Sequence, residues 1–327
     1  MSRAIVLALM RQQAYGTLPR MPRTLLAAMT QDRINPSPPH AIAIGIACGV
    51  GAAVFWAAGF VAARHGIDIG FTPADITFHR CFWAGLVLLP LALRDGIGDL
   101  NGIGWYRGIV LTFFGGLGIA FVSYSGFLLV PLGHGGIIQP STAALLGLVL
   151  STVVLHERLP AKRVTGALVI VAGLIVIGGE AVTTIGVHGV AGDLLFVLAG
   201  AFFATFGMFL RKWRVAPTRA MIVTSVVSLA ILPIYGVLVG FSRIAALGLW
   251  ENLLQAILQG LLAGPGAIYL FTRAVVLLGA GRAAVFPTLV PPGVLLIGWI
   301  ALGSVPSVLQ LIGLAIVLLG FRLTQRA

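Results

Sequence analysis

From Ala41 onward the chain alternates long apolar runs with short polar breaks. The pattern predicts helices over residues 41–63, 74–93, 109–130, 135–155, 164–179, 194–210, 220–239, 253–278, 283–302 and 308–321. Most approach the roughly 20 residues that a helix needs to cross the hydrocarbon core of a bilayer. The fifth and tenth are shorter and are expected to stand nearly upright or at the edge of a bundle.

Sliding the chain against itself by 147 residues, the offset from Pro140 to Pro287, aligns the spans in order. Phe55 meets Phe202, Ala57 meets Ala204, Arg64 meets Arg211, Leu155 meets Leu302, Gly166 meets Gly313 and Gly173 meets Gly320. Apolar coincidences are cheap in such a chain, but a proline match is not, since prolines are about 5% of residues on average. Five spans per copy is an odd number, so the second copy must enter the membrane from the opposite side. The expected fold is therefore all-α, ten transmembrane helices in two inverted five-helix repeats over residues 41–180 and 188–322. Such repeats place a solute site near the bilayer midplane between the halves.

Composition narrows the class further. Of 327 residues, 59% are apolar and 9% charged, against about 45–50% and 25% in soluble domains. Water-facing surfaces need charges that this chain lacks. The 43 glycines suit close helix contact in lipid, and Gly45-x-x-x-Gly49 and Gly260-x-x-x-Gly264 read as packing seams. A net charge of +12 on one soluble patch would point to nucleic acid, but here the basic residues sit between apolar runs and set orientation. With the amino terminus in the cytoplasm, 17 of the 21 Lys and Arg residues fall inside and only Arg64 and Arg243 outside, with Arg80 and Arg273 within spans. Both termini then face the cytoplasm. Cys48 and Cys81 both lie within spans, so no disulfide framework, metal or other cofactor follows from them.

Residues 1–40 carry five arginines and Pro36, Pro38 and Pro39, and read as a disordered cytoplasmic tail. The apolar run at residues 4–10 is short, and no small-residue cleavage site follows before Arg11, which argues against a cleaved signal. Met21 and Met29 offer alternative starts.

Several fragments occur in order in both halves. The first holds Trp56-Ala-Ala-Gly-Phe60, Arg80, Tyr124, Gly133-His-Gly-Gly-Ile-Ile-Gln-Pro140, His156-Glu157-Arg158-Leu159 and Gly166. The second holds Tyr269, Leu278-Gly-Ala-Gly-Arg282, Pro287, Pro291, Leu302-Gly303 and Gln310-Leu-Ile-Gly313. Together they resemble the EamA family of the drug/metabolite transporter superfamily, from Ala41 to Phe321. The resemblance implies ten spans around a central cavity in a bacterial inner membrane, and export of amino acids or related metabolites. Ser304 departs from it where the second repeat usually has an acidic residue, and Gly59 where an Asn is common.

The candidate chemistry is sparse. Arg80 lies about two turns inside the second span, where a charge is costly, roughly 2.5–3.5 kcal/mol at a helix centre. It reads either as a bidentate partner for a solute carboxylate or as a structural arginine bonded to carbonyls. Arg273 can snorkel to the cytoplasmic interface. Asp75 and His79 share a helix face and could relay a proton, but Thr72-Pro-Ala-Asp75 reads as a helix cap. Asp193 stands at the start of the sixth span, and His134 is alone at a helix junction. With no Asp or Glu near the middle of a span, movement down a gradient is expected.

Helix breaks point to the site. Pro265 interrupts the eighth span between two glycines, opposite the glycine cluster ending at Gly118 in the third, and Pro140 and Pro287 mark the fourth and ninth. Freed backbone groups must face protein or a cavity. Around them stand Trp56, Tyr124, Gln139, Ser141, Phe202, Tyr269 and Phe286, which with Arg80 and Arg273 make the candidate cavity lining. The expected partners are the lipid bilayer and a small-molecule solute, no nucleic acid, with a homodimer left open. An intramembrane enzyme and a structural membrane protein are the alternatives. The first lacks a His-Glu-x-x-His or Gly-x-Ser-x-Gly motif, and Asp95 and Asp99 form no acidic cluster backed by basic residues for phosphotransfer. The second requires neither an inverted repeat nor paired breaks.

Overall fold

The computed structural model describes residues 39–154, 156, 160–180 and 186–325. The expected tail up to Pro38, and Leu155, Glu157, Arg158 and Leu159 of one resemblance motif, lie outside the described residues. The long helices are α1 (Pro39–Asp68), α2 (Pro73–Asp95), α3 (Trp105–Gly126), α4 (Leu132–Val153), α5 (Ala161–Glu180), α6 (Val187–Lys212), α7 (Pro217–Leu238), α8 (Gly248–Leu278), α9 (Val290–Leu302) and α10 (Val308–Gln325). Seven are long and apolar enough to cross a membrane, and the stretches Phe286–Leu302 and Val308–Thr324 are shorter apolar helices. From Ile44 the chain packs as one unit.

Local sequence explains the element ends. The Thr72 hydroxyl accepts from the Asp75 N–H while the Asp75 carboxylate accepts from the Thr72 N–H, and Pro73 fills the first turn of α2. This reciprocal cap satisfies two otherwise orphaned donors. Leu168, Ile175, Val237 and Ile300 are exposed, and apolar faces of this extent belong against lipid rather than water. Inside, Ala53, Ala57 and Val61 of α1 meet Ala120, Tyr124 and Phe127 of the α3 region, Ile137 of α4, Phe196 of α6 and Val294 of α9 in one apolar cluster.

The helices α5 and α10 approach each other backbone to backbone. A side chain added at Gly166 would sit 2.8 Å from the Gly320 carbonyl, and one at Gly320 would sit 2.8 Å from the Gly166 carbonyl. Gly173 and Gly313 face each other in the same way, at 2.9 and 3.1 Å. The pairs 166–320 and 173–313 make the two helices antiparallel. Because Gly166 aligns with Gly313 and Gly173 with Gly320, exchanging the two repeats maps each contact onto the other. A two-fold relation between copies requires this. The seams expected at other glycines are met in part: Gly45 faces Leu277 and Leu278, Gly49 faces Phe286 and Gly260 faces Trp83, whereas Gly264 meets only the Gln259 carbonyl of its own helix.

The expected breaks in α3 and α8 are widened π-helical turns, at Phe113–Leu117 and Ala256–Gly266. Shifted by 147 residues, the first falls inside the second. A π-turn presses the carbonyl five residues back against the chain. A side chain at Gly118 would lie 2.5 Å from the Phe113 carbonyl, and one at Gly266 would lie 2.9 Å from that of Leu261. Glycine is required at both.

Three expectations change. Pro140 lies inside a continuous α4, but Pro287 opens a short 3-10 turn, Phe286–Leu289, ahead of α9, because the chain between α8 and α9 is broken up by the turn at Gly279, with φ +83°. The helix α6 begins at Val187 instead of Leu194, which places Asp193 well over one turn inside it. The helix α8 begins at Gly248, adding Glu251 and Asn252 to its first turns.

Replacing Gly313 with Leu should destabilise the protein by roughly 1–3 kcal/mol, as overpacking does, whereas Gly147→Ala, which meets nothing within 4 Å, should be neutral or slightly stabilising. Thermal unfolding of the two purified variants checks this; equal melting points would remove the seam from the account.

Candidate functional site

A hydrogen-bonded chain crosses three helices. The half-buried Arg80 of α2 lies beside its first member, the Tyr124 hydroxyl of α3. That hydroxyl donates to the Gln259 side-chain oxygen of α8 at 2.8 Å, and the Gln259 amide nitrogen donates to the Gly59 carbonyl of α1 at 2.6 Å. One turn earlier on α8, Gln255 donates to the Ala62 carbonyl at 2.8 Å. Gln255 and Gln259 are both fully buried, so one face of the π segment holds α1 by its backbone. Gly59 permits this, since a side chain there would lie 2.5 Å from the Ala263 side chain.

Trp56, nearly one turn from Gly59, is half-buried and packs on Phe271 of α8, ring centroids 5.6 Å apart. Phe271 is the repeat equivalent of Tyr124. Trp56 packs against the apolar cluster that contains Tyr124. Gln139 lies beside it, accepting from Ser123 of α3 at 2.6 Å. Ser141 is fully buried next to Pro140, and among the described residues its hydroxyl finds no hydrogen-bond partner.

The other candidates lie elsewhere. Phe202 packs edge-on against Phe114 and tilted against Phe113. Phe286 is buried with Ala274, Ala283 and Cys48. Tyr269, 57% exposed, and the exposed Arg273 share the outward face of α8 with Val276, away from Gln255 and Gln259. Missing from the expected lining were Gln255 and Gln259. Their signal was two amides one turn apart in an apolar run, and amides buried in lipid bond across helices.

A second set of polar contacts gathers at the end of the bundle that carries Asp68 and Asp75, the acidic end. His65 of α1 pairs with Glu251 of α8 at 2.9 Å. Tyr235 of α7 donates to Asp75 of α2, and Arg243 lies 3.8 Å from the same carboxylate. The Trp83 indole N–H donates to His79 Nδ1 at 3.1 Å, so the His79 proton sits on Nε2 and is donated to Asn252 of α8 at 3.0 Å. Asp75 and His79 therefore face separate partners and form no relay; Asp75 caps α2. Arg64 donates to the Phe127 and Val130 carbonyls at 2.7 and 3.0 Å, capping the end of α3.

His134 is not isolated. It pairs with Asp193 at 2.8 Å, both groups buried between α4 and α6. The earlier start of α6 carries Asp193 to it. At the opposite, basic end the described contacts are local, Arg94 with Asp95, or cation–π, Arg107 over Trp213 at 5.6 Å. Among the described residues no group of three or more His, Cys, Asp or Glu side chains could hold a metal ion, and Cys48 and Cys81 are free thiols.

The model of the EamA-like transporter family matches the chain twice, over residues 43–179 and 190–325. No curated protein matches. A solved structure, titled only as the crystal structure of a protein, is similar at 20% identity with a TM-score of 0.59, covering 88% of this chain and 96% of that one. At this identity the likeness concerns the fold.

A double-mutant cycle on Tyr124→Phe and Gln259→Leu should give a coupling of about 0.6–1.7 kcal/mol, the range for interhelical hydrogen bonds in membranes. Unfolding of the single and double variants in mixed micelles measures it; strict additivity would break the chain at this link.

Proposed function

This chain belongs to the EamA-like transporter family, and from that premise we propose that it moves small amphipathic metabolites, amino acids or their relatives, across a bacterial inner membrane by alternating access. In this reading ten helices span the bilayer, the basic end faces the cytoplasm by the positive-inside rule, and the two halves rock about their two-fold relation.

The observation that carries the reading is Arg80 standing beside the Tyr124–Gln259–Gly59 chain. Arg80 lies seven residues into α2, about 10 Å from its start at 1.5 Å per residue. It lies beside the Tyr124 hydroxyl, and no carboxylate pairs with it among the described residues. A guanidinium at such depth gains most from an anion, and a bidentate carboxylate fits it. Trp56 supplies an apolar wall beside it, which suits a solute with one charged and one apolar part. The paired π-turns in α3 and α8 support the same location, since such turns recur at functional sites. An enzyme reading finds less support, since His79 is spent on Trp83 and Asn252.

The test is a growth-protection screen with toxic amino-acid and amine analogues in cells overproducing the protein. Once a protective solute is found, Arg80→Gln and Trp56→Ala should each reduce its efflux at least about tenfold, the equivalent of roughly 1.4 kcal/mol, at unchanged membrane abundance. Tyr269→Ala, on the exposed face of α8, should leave efflux within about twofold. Full efflux by Arg80→Gln would exclude the site.

A further inference from the structure

Where α3 starts, α6 ends and α7 starts, the basic end carries Arg107, Lys212, Arg214 and Arg219, all exposed. The positive-inside rule counts basic residues and is indifferent to where in a loop they stand. Here they have a built setting. Leu100, Ile103, Leu111 and Val223 form a buried cluster at this corner, joined by Phe209, Leu210, Trp213 and Val215. The Trp105 indole donates to the Gly98 carbonyl at 2.8 Å and pins the loop ahead of α3. Trp213 stacks on Phe209 at 4.4 Å and has Arg107 over its ring at 5.6 Å. Lys212 and Arg214 flank Trp213 in the chain. Gly108 of α3 faces Val223 of α7, and Arg219 lies about one turn before Val223. Three elements thus bring four cations to one packed corner. Of the carboxylates in the neighbouring loop, Asp95 pairs with Arg94 and Asp99 is exposed.

The same corner continues into an apolar stripe. Tyr106, Ile109 and Phe113 are exposed and recur at helical spacing down α3, with Trp105 exposed beside Tyr106. Trp and Tyr favour the headgroup level of a bilayer, so Trp105 and Tyr106 set Arg107 at the depth of the lipid phosphates. Shifted by 147 residues, Arg107, Lys212, Arg214 and Arg219 become Leu254, His65, Ile67 and Thr72. The repeated fold therefore does not itself call for four cations here.

We propose that this corner is a binding site for an anionic phospholipid, its headgroup held by Arg107, Lys212, Arg214 and Arg219 and an acyl chain lying along Tyr106, Ile109 and Phe113. An arginine over an aromatic ring still donates from the edge of its planar fork to phosphate oxygens. Free phosphate would meet the cations but not the stripe, and a zwitterionic lipid brings its own cation to the phosphate. The start of α3 belongs to the first repeat and α6 and α7 to the second, so a lipid seated here clasps the two halves together. The inference rests on the chain spanning a membrane and not on the solute site; only the choice of the cytoplasmic leaflet rests on the basic end facing inward.

The experiment follows thermal unfolding of the full chain, purified in a neutral detergent, while phosphatidylglycerol, phosphatidylcholine or inorganic phosphate is titrated in. Phosphatidylglycerol should raise the melting point with a half-effect concentration at least about tenfold below that of phosphatidylcholine, and inorganic phosphate should not replace it. Arg107→Gln with Arg214→Gln should weaken the phosphatidylglycerol effect about thirtyfold, the equivalent of about 2 kcal/mol for two basic residues at an anionic surface. Lys212→Gln with Arg219→Gln, which leaves the Arg107–Trp213 contact in place, should weaken it as much. Lys162→Gln with Arg322→Gln removes the same charge from exposed positions of α5 and α10 at the same end, and should leave the effect within about threefold. Equal responses to the two lipids, an equal loss in the α5–α10 pair, or a full response to inorganic phosphate alone overturns the site. No solute is needed, so failure of the transport reading appears separately, as an absence of any protective compound in the growth screen.

Discussion

In the bilayer no water is available to satisfy a backbone or amide group, and helices gain little by hiding apolar surface from equally apolar lipid. Close backbone packing and cross-helix hydrogen bonds are what remain to hold a bundle together. Here the close packing that relates the halves is the approach of Gly166 and Gly173 to Gly320 and Gly313. It brings α5 and α10 together backbone to backbone, in opposite directions, and relates the two halves by exchange. The matched π-turns of α3 and α8 follow the same relation. Everything proposed about the site presumes this frame.

Within a symmetric frame the chemistry is one-sided. Tyr124 bonds Gln259, while its repeat equivalent, Phe271, packs tilted against Trp56. Arg80 is matched by Val227, and Gln259 by Thr112. The solute site is thus read from residues that only one copy has at each position. In the proposed reading, symmetry supplies two interchangeable shapes, and departures from it supply the binding site.

Much of this was legible in the sequence. The apolar runs locate each helix because lipid demands about 20 apolar residues whatever their neighbours, and the 147-residue offset tied Gly166 to Gly313 before their contact was known. The Thr72–Asp75 cap was readable because it is local. What escaped depends on distant partners. Asp193 looked like a helix-start residue until α6 proved to begin at Val187, and His134 looked solitary because its partner is 59 residues away. Gln255 and Gln259 were passed over because an amide in an apolar run declares nothing until a carbonyl of another helix is seen beside it. Tyr269 showed the reverse: an aromatic in a broken helix suggested a lining residue, yet its position on α8 faces outward.

The claim on which the rest stands is that the two repeats are threaded through the membrane in opposite senses. Reporter fusions at Asn101, in the loop between α2 and α3, and at Phe241, in the equivalent region between α7 and α8, test it directly. The account predicts a cytoplasmic signal at Asn101 and an extracytoplasmic one at Phe241. The same side for both would contradict it.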